Sequence, residues 1–313
     1  MTQMTRGGRL ALVDIARGVA LIAMTIYHLS WDLEFFGWLT AGTISQTGWV
    51  LFARSIATSF LFLVGVSLFL AHRDGIRWEP FAKRLAMVAG GAALISLATW
   101  FATPDRFIFF GILHAIALFS LLLLPLIFVP WWVSAAIGLA VLALAEPLRH
   151  AAFDTPFLIW LGLAPVNPPS NDYVPLFPWI SAAIFGLAAA ALANKLGLLA
   201  AIKGRASGGL ADRTIGLMGR HSLVYYLLHQ PVLIALVWIF TAIAGPPDRT
   251  DEFMSGCSQT CSQTSDSAFC TKFCTCTADG LKDADLFNPF FAGQVDLKND
   301  PTATGIIRQC SAK

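Results

Sequence analysis

Charged side chains are scarce in this sequence: Asp, Glu, Lys and Arg make up only 13% of its 313 residues, whereas hydrophobic residues make up 56%. This composition is typical of an integral membrane protein. The net charge of +2 and the lack of a basic cluster give no reason to expect a nucleic-acid partner. Cysteine is missing from the first 256 residues, so any disulfide or thiolate site must lie in the C-terminal part.

Several sequence motifs of soluble enzymes are also missing. There is no Walker loop, no dinucleotide-binding glycine fingerprint, no His/Glu metal motif and no nucleophile elbow. A hydrolase or an ATP-driven machine therefore has no support, and no metal is expected. The first apolar run is too long and too charged for a cleaved signal peptide, since it contains Asp14 and Arg17.

Seven stretches are long and apolar enough to cross a lipid bilayer, which predicts an all-α, polytopic membrane bundle. We place them at residues 10–31, 48–71, 83–102, 107–129, 131–148, 175–195 and 221–244. Lys and Arg are concentrated before the first stretch, between the second and third, and between the sixth and seventh. The positive-inside rule then predicts an N-terminus inside and a C-terminus outside.

The six cysteines all lie in a polar tail, and we predict a membrane domain at 1–244 and a cysteine-rich extramembrane module at 245–313. An even number of cysteines in a short module predicts disulfides in an oxidising compartment. Two pairs of cysteines have the spacing of one helical turn, which suggests a two-helix hairpin joined by two bridges, with Cys276–Cys310 as a third bridge. Six cysteines allow fifteen pairings, and the sequence does not choose among them. A metal or iron–sulfur site is the alternative. The cysteines are Cys257, Cys261, Cys270, Cys274, Cys276 and Cys310.

Ionisable residues form a stripe along the first apolar segment. Arg17 and His28 are eleven residues apart, about three helical turns, so they share a face. Asp14 and Asp32 lie three and four residues from them, at the spacing of helical neighbours. Charges at membrane depth usually face a bundle interior or a wet cavity. The stripe predicts a functional site, and an interhelical salt bridge plus a hydrogen-bonded histidine is the structural alternative.

Three further polar residues lie at or near membrane depth. His114 is in the fourth stretch, His229 is in the seventh beside a kink expected at Pro231, and Asp172 directly precedes the sixth. Each residue also has a purely structural interpretation. His114 could be a hydrogen-bonded core histidine, His229 could belong to a structural kink, and Asp172 could be a solvated loop carboxylate. Asp172 also belongs to an unusually long connection, residues 153–175, and long loops are often functional.

Four stretches of the chain together resemble the heparan-α-glucosaminide N-acetyltransferase catalytic-domain family in its bacterial branch, within the wider group of membrane acyltransferases. The resemblance covers residues 8–240 and ends before the tail. The stretches are Asp14-Ile-Ala-Arg17-Gly18-Val-Ala with His28, Phe110-Gly-Ile-Leu-His114, Asp172-Tyr-Val-Pro-Leu-Phe-Pro178-Trp179, and Gly219-Arg-His-Ser-Leu-Val-Tyr-Tyr-Leu-Leu-His229-Gln-Pro231.

The resemblance implies transfer of an acetyl group from cytoplasmic acetyl-CoA to a glycan or lipid-linked sugar beyond a bacterial inner membrane. The charge bias and the cysteines, which lie outside the resemblance, predict that the tail is in the periplasm. By motif position, Arg17 would face the CoA side and His28 would be the catalytic histidine. The animal member that acetylates sugars has a histidine after its first span, whereas residues 32–48 here contain none.

This resemblance and the stripe lead to a set of expected roles. We expect His28 to act as general base, oriented by Asp32 or by His114. Arg17 would bind anionic groups of the acyl donor, with its rotamer held by Asp14. The candidates for acceptor binding or proton relay are Asp172, Trp179, His114 and His229.

Three other classes of protein stay open. The histidines could ligate haem between helices, or they could line a path through a transporter. The chain could also be a non-catalytic subunit whose tail, residues 245–313, docks on a partner in a larger membrane complex.

The predicted topology can be tested with thiol labelling in intact cells. We expect the six tail cysteines to resist a membrane-impermeant alkylating reagent until an impermeant reductant is added, and to label fully afterwards. A cysteine introduced at Asp74, between the second and third apolar stretches, is the control and should stay unlabelled until the cells are permeabilised. Tail labelling that needs permeabilisation would contradict the orientation.

Overall fold

The computed structural model describes residues 11–199, 209–291 and 295–312. Within these ranges the chain is helical and contains no strand, as the composition predicts. The helices are α1 (Ala11–Phe35), α2 (Thr47–His72), α3 (Trp78–Ala102), α4 (Ile112–Leu122), α5 (Trp131–Leu144), α6 (Leu176–Lys195), α7 (Leu210–Arg220), α8 (Ser222–Ala244), α9 (Thr250–Cys261), α10 (Ser267–Asp283), α11 (Phe287–Phe291) and α12 (Pro301–Ser311).

Five of the described helices, α1, α2, α3, α6 and α8, are long and apolar enough to cross a membrane. α4 and α5 are apolar but have only 11 and 14 residues. Each lies inside a predicted span, at 107–129 and 131–148, and is shorter than that span. α4 ends early because Pro125, which has no backbone N–H, starts a 3-10 turn over Pro125–Phe128. α3 instead begins five residues before the predicted residue 83, with Pro80 in its first turn.

The helices fall into two compact units, one made of residues 1–28 and 47–232, the other of residues 29–46 and 233–313. In the first unit, glycines let helix backbones approach closely. A Cβ on Gly65 of α2 would meet the carbonyl oxygen of Ala183 in α6, and one on Gly186 would meet that of Phe62. Small residues at such crossings allow the close van der Waals packing on which membrane helix pairs depend.

The second unit contains the cysteine-rich tail. α9 and α10 form a hairpin joined by two disulfides, Cys257–Cys274 and Cys261–Cys270, and a third disulfide, Cys276–Cys310, connects α10 to α12. This confirms the predicted hairpin with its two bridges and the third bridge further on. The apolar core of the tail is small, and it draws on α9, α10, α11 and α12; its buried members are Phe253, Ala278, Leu281, Phe287 and Ala303. Cross-links are therefore a major source of its stability.

The glycine crossing of α2 and α6 generates a prediction about stability. We expect Gly65→Ala and Gly186→Ala each to lower the free energy of unfolding by about 1–3 kcal/mol, because the new methyl group forces the two backbones apart. Gly90→Ala in α3 is the matched control, since a Cβ there meets nothing within 4 Å.

The measurement is thermal unfolding of the purified protein in detergent. Gly90→Ala should be neutral or stabilising by about 0.5–1 kcal/mol, because alanine loses less backbone entropy in a helix. Equal unfolding midpoints for the three variants would show that the crossing is not tight.

Candidate functional site

The Arg17 end of the stripe packs against α2. The guanidinium of Arg17 donates to a carboxylate oxygen of Asp14 at 3.3 Å and to the hydroxyl of Ser67 on α2. The Ser67 hydroxyl in turn donates to the carbonyl of Leu63 at 2.5 Å. Asp14 is buried and the Arg17 side chain is 16% exposed, so this ion pair is largely removed from solvent. It has the i, i+3 geometry that the stripe predicts.

A second glycine crossing positions this ion pair. Gly18 of α1 lies against the backbone of Ile215 in α7, and Gly219 of α7 lies against the carbonyl of Asp14. The two backbones are in direct contact here, because neither residue has a side chain to separate them. The crossing therefore fixes α1 at the turn that carries Asp14 and Arg17.

The His28 end of the stripe packs against α8. Nδ1 of His28 lies 3.2 Å from Nε2 of His229 and 3.1 Å from the carbonyl oxygen of Met24, one turn earlier in α1. The two rings meet edge to face, with centroids 4.8 Å apart. We call His28 and His229 the histidine pair. Because His28 and Arg17 differ by about 20° around the helix axis, both ends of the stripe lie on one face of α1.

The hydrogen bonds of the histidine pair fix both tautomers. Nδ1 of His229 lies 2.6 Å from the carbonyl oxygen of Tyr226, which can only accept, so this nitrogen carries the proton. The Nε2 of neutral His229 is then an acceptor, and Nδ1 of His28 must donate to it. The lone pair of neutral His28 is consequently on Nε2, which has no hydrogen-bond partner among the described residues. That nitrogen is free to accept a proton.

Asp172 caps the N-terminus of α4 with its side chain. Its Oδ2 accepts the backbone N–H of Ile112 at 2.8 Å, where a carboxylate also interacts favourably with the helix dipole. The hydroxyl of Tyr226 donates to the same carboxylate. The pKa of Asp172 is raised to about 6, because its surroundings exclude water and the two hydrogen bonds offset only part of that cost. Asp172 is therefore engaged by the protein itself, not simply solvated.

His114 is bonded on both sides near the same place. Its Nδ1 accepts the backbone N–H of Gly111 at 3.2 Å, so its Nε2 carries the proton and donates to the hydroxyl of Ser96 at 3.2 Å. The hydroxyl of Ser96 in turn donates a hydrogen bond to the carbonyl oxygen of Ile108 at 2.5 Å. His114 therefore matches the structural interpretation given above, a core histidine held by hydrogen bonds. We call Ser96, His114, Asp172 and Tyr226 the Asp172 cluster.

The long connection before α6 is held in place at its end. Backbone N–H groups of Asn171 and Val174 donate to the carbonyls of Arg106 and Phe110, at 2.9 and 3.0 Å. The hydroxyl of Tyr173 reaches the carbonyl of Ile159 at 2.5 Å. The segment that carries Asp172 is thus joined to the one that leads into α4, which explains why a loop carboxylate reaches a helix N-terminus.

The structure brings together only some of the residues expected to share a site. His28 pairs with His229, whereas the neighbours expected to orient it were Asp32 and His114. Asp32 is fully buried in the second unit. Trp179, in the first turn of α6, packs against the apolar core of the first unit. Sequence reasoning missed Ser67 and Ser96 as partners. It placed Tyr226 beside His229 at the kink, three residues earlier, but did not connect it with Asp172.

The histidine pair suits proton transfer better than metal ligation. Its two facing nitrogens are within hydrogen-bond distance of each other, which leaves no room for a haem iron and its macrocycle between them. Within the described ranges, no group of three or more His, Cys, Asp or Glu side chains lies close enough to hold a metal ion. A neutral imidazole with an unengaged nitrogen is, by contrast, the usual form of a general base.

Comparison with known proteins gives one match. The model of the protein family described as heparan-alpha-glucosaminide N-acetyltransferase, catalytic, matches residues 9–231, more than two thirds of the chain. The matched region contains the Arg17 ion pair, the histidine pair and the Asp172 cluster, and it ends before the cysteine-rich tail. No curated protein and no solved structure matches.

Proposed function

The chain belongs to the heparan-α-glucosaminide N-acetyltransferase catalytic family, and we propose that it transfers an acetyl group from acetyl-CoA to an amine or hydroxyl group of a sugar. The observation that carries this proposal is the histidine pair, which leaves Nε2 of His28 available as a base on the same face of α1 as Arg17. The family and the apolar helices support membrane location; the donor, the acceptor and the base are our proposals.

His28 acts as the general base in this proposal. As the acceptor nitrogen or oxygen attacks the thioester carbonyl, its proton moves to Nε2 of His28, the C–S bond breaks, and the CoA sulfur leaves. The proton then returns from His28 to the thiolate or to solvent. His229 and the carbonyl of Met24 both face Nδ1 of His28 as acceptors, which keeps this nitrogen protonated and the reactive lone pair on Nε2. It thereby takes the orienting role that we expected of Asp32 or His114.

Arg17 is proposed to bind the anionic part of the donor. A planar guanidinium presents several donors and suits phosphate geometry. Asp14 and Ser67 hold its rotamer on either side, so little side-chain entropy is lost when a ligand binds. Roughly 16 Å of helix, the rise of eleven residues, separates Arg17 from His28. That length fits an extended donor whose phosphates and thioester are far apart.

The location follows from the predicted topology. We propose that the chain lies in a bacterial cytoplasmic membrane, with the Arg17 end facing the cytoplasm and the tail in the periplasm. The acceptor would then be a glycan or a lipid-linked sugar on the periplasmic side. The tail, held by three disulfides, is proposed to dock on a membrane-complex partner, a role consistent with its position outside the family match.

The role of His28 predicts a large loss of rate. In detergent-solubilised protein given acetyl-CoA and glucosamine, we expect His28→Gln to lower kcat by about 10²–10⁴-fold, the usual contribution of a general base. Release of free CoA and formation of acetylglucosamine are both measured. His150→Gln, at an exposed histidine between α5 and α6, is the matched control and should keep the wild-type rate. A wild-type rate in His28→Gln would remove this residue from the mechanism.

The role of Arg17 predicts a change in donor affinity. We expect Arg17→Lys to raise KM for acetyl-CoA about tenfold or more, because one ammonium cannot replace the bidentate guanidinium. Arg149→Lys is the matched control, since Arg149 makes the same i, i+3 contact of 3.3 Å, to Glu146 in a loop. Steady-state kinetics and direct binding of CoA measure the effect. An unchanged KM and CoA affinity would place the donor elsewhere.

A further inference from the structure

Asp172 has a role in this site that its position in a loop does not suggest. We propose that Asp172 is a positioning residue which, through Tyr226, holds the histidine pair in its reactive arrangement. The inference rests on the proposed function for its kinetic consequence, but not for its structural one. It differs from the expectation that Asp172 contacts the acceptor.

The first step is the set of bonds that Asp172 makes. Its carboxylate joins three parts of the chain: the loop before α6, the N-terminus of α4 through Ile112, and α8 through the hydroxyl of Tyr226. A Cβ on Gly111 would clash with the carboxylate, so the fit at the start of α4 is close. A carboxylate engaged in this way by the protein is poorly placed to bind a substrate as well.

The second step leads from Tyr226 to His229. The two residues are one turn apart in α8, and the carbonyl of Tyr226 accepts the Nδ1 proton of His229 at 2.6 Å. The ring of Tyr226 also packs against the His229 ring, with centroids 5.6 Å apart. Fixing the Tyr226 hydroxyl therefore fixes the turn of α8 that selects the His229 tautomer.

The third step leads from His229 to His28. Only the tautomer with the proton on Nδ1 offers Nε2 of His229 as an acceptor to Nδ1 of His28. If α8 rotates or shifts at Tyr226, this bond is lost and Nδ1 of His28 keeps only the carbonyl of Met24 as a partner among the described residues, so the ring and its Nε2 lose one of the two bonds that orient them. Asp172 thus acts on the reacting nitrogen at a distance, without touching the substrate.

The surroundings of the Asp172 carboxylate support a specific role. Removing a carboxylate from water is costly unless hydrogen bonds compensate, and the backbone N–H of Ile112 supplies such a bond to Asp172. The raised pKa of Asp172 records that cost. Tyr226 is also well suited as the link, because it packs against apolar residues of several helices and has its hydroxyl directed to one carboxylate.

The test uses Asp172→Asn, Tyr226→Phe and the double variant, with Asp154→Asn, an exposed carboxylate of the same connection, as the matched control. With acetyl-CoA and glucosamine, we expect each single variant to lower kcat about tenfold and to leave both KM values within twofold of wild type. Because the two residues act in one chain, the double variant should be no worse than the worse single one. Asp154→Asn should match wild type.

A second measurement does not depend on activity. The rate at which diethylpyrocarbonate modifies His28 reports the availability of its Nε2, and mass spectrometry reads it against the exposed His150 in the same sample. We expect Asp172→Asn and Tyr226→Phe to change the His28 rate several-fold while the His150 rate stays constant.

The two readouts separate this inference from the proposed function. If the wild type transfers no acetyl group and the His28 modification rate still depends on Asp172 and Tyr226, the positioning role stands and the proposed function fails. A raised KM for glucosamine with unchanged kcat in Asp172→Asn would overturn the inference in favour of direct acceptor contact. An unchanged His28 modification rate in both single variants would also overturn it.

Discussion

The hydrogen bond between His28 and His229 is the interaction on which the rest of the site depends. It joins α1 and α8 through two residues that are 201 positions apart in the sequence. Together with the carbonyls of Met24 and Tyr226, it determines which nitrogen of each ring carries a proton. In a segment built for an apolar environment, polar groups must find partners inside the protein. The imidazoles meet that requirement with each other and with two backbone carbonyls, so that one nitrogen of His28 is left over. The glycine crossing of Gly18 and Gly219 fixes the other end of the same helix.

The sequence alone supported much of this arrangement. The stripe of Asp14, Arg17 and His28 could be predicted because helical periodicity is a local property, and the disulfide hairpin because a spacing of four residues places two cysteines on one turn. The partner of His28 could not be predicted in the same way. Which helix meets α1 is decided by packing between distant segments, and neither Asp32 nor His114, which have suitable side chains, contributes the hydrogen bonds that His28 makes. The polar partners Ser67 and Ser96 depend on the same packing.

The two shortened helices show a different limit of sequence reasoning. A window of apolar residues predicts that a segment can lie in a bilayer, but it does not register a single residue that interrupts the backbone hydrogen bonds. Pro125 does so after α4, and the chain continues as a 3-10 turn. The start of α4 also depends on a single residue: Asp172, from a loop sixty residues later, accepts the backbone N–H of its first residue. Both ends of this helix are thus set by features that hydropathy does not record.

The neutral histidine pair also explains how a base can operate where charge is costly. Under the proposed reaction, Nε2 of His28 accepts a proton as the acceptor attacks, and the ring becomes a cation. Its Nδ1 proton then donates to Nε2 of His229 as a charge-assisted hydrogen bond, which is stronger than the neutral bond of the resting state. The pair therefore stabilises the transition state more than the ground state, which is the requirement for a rate increase. Asp172 and Tyr226 add to this effect by holding α8 in place, because a bond that strengthens during the reaction helps only if the two rings are already aligned.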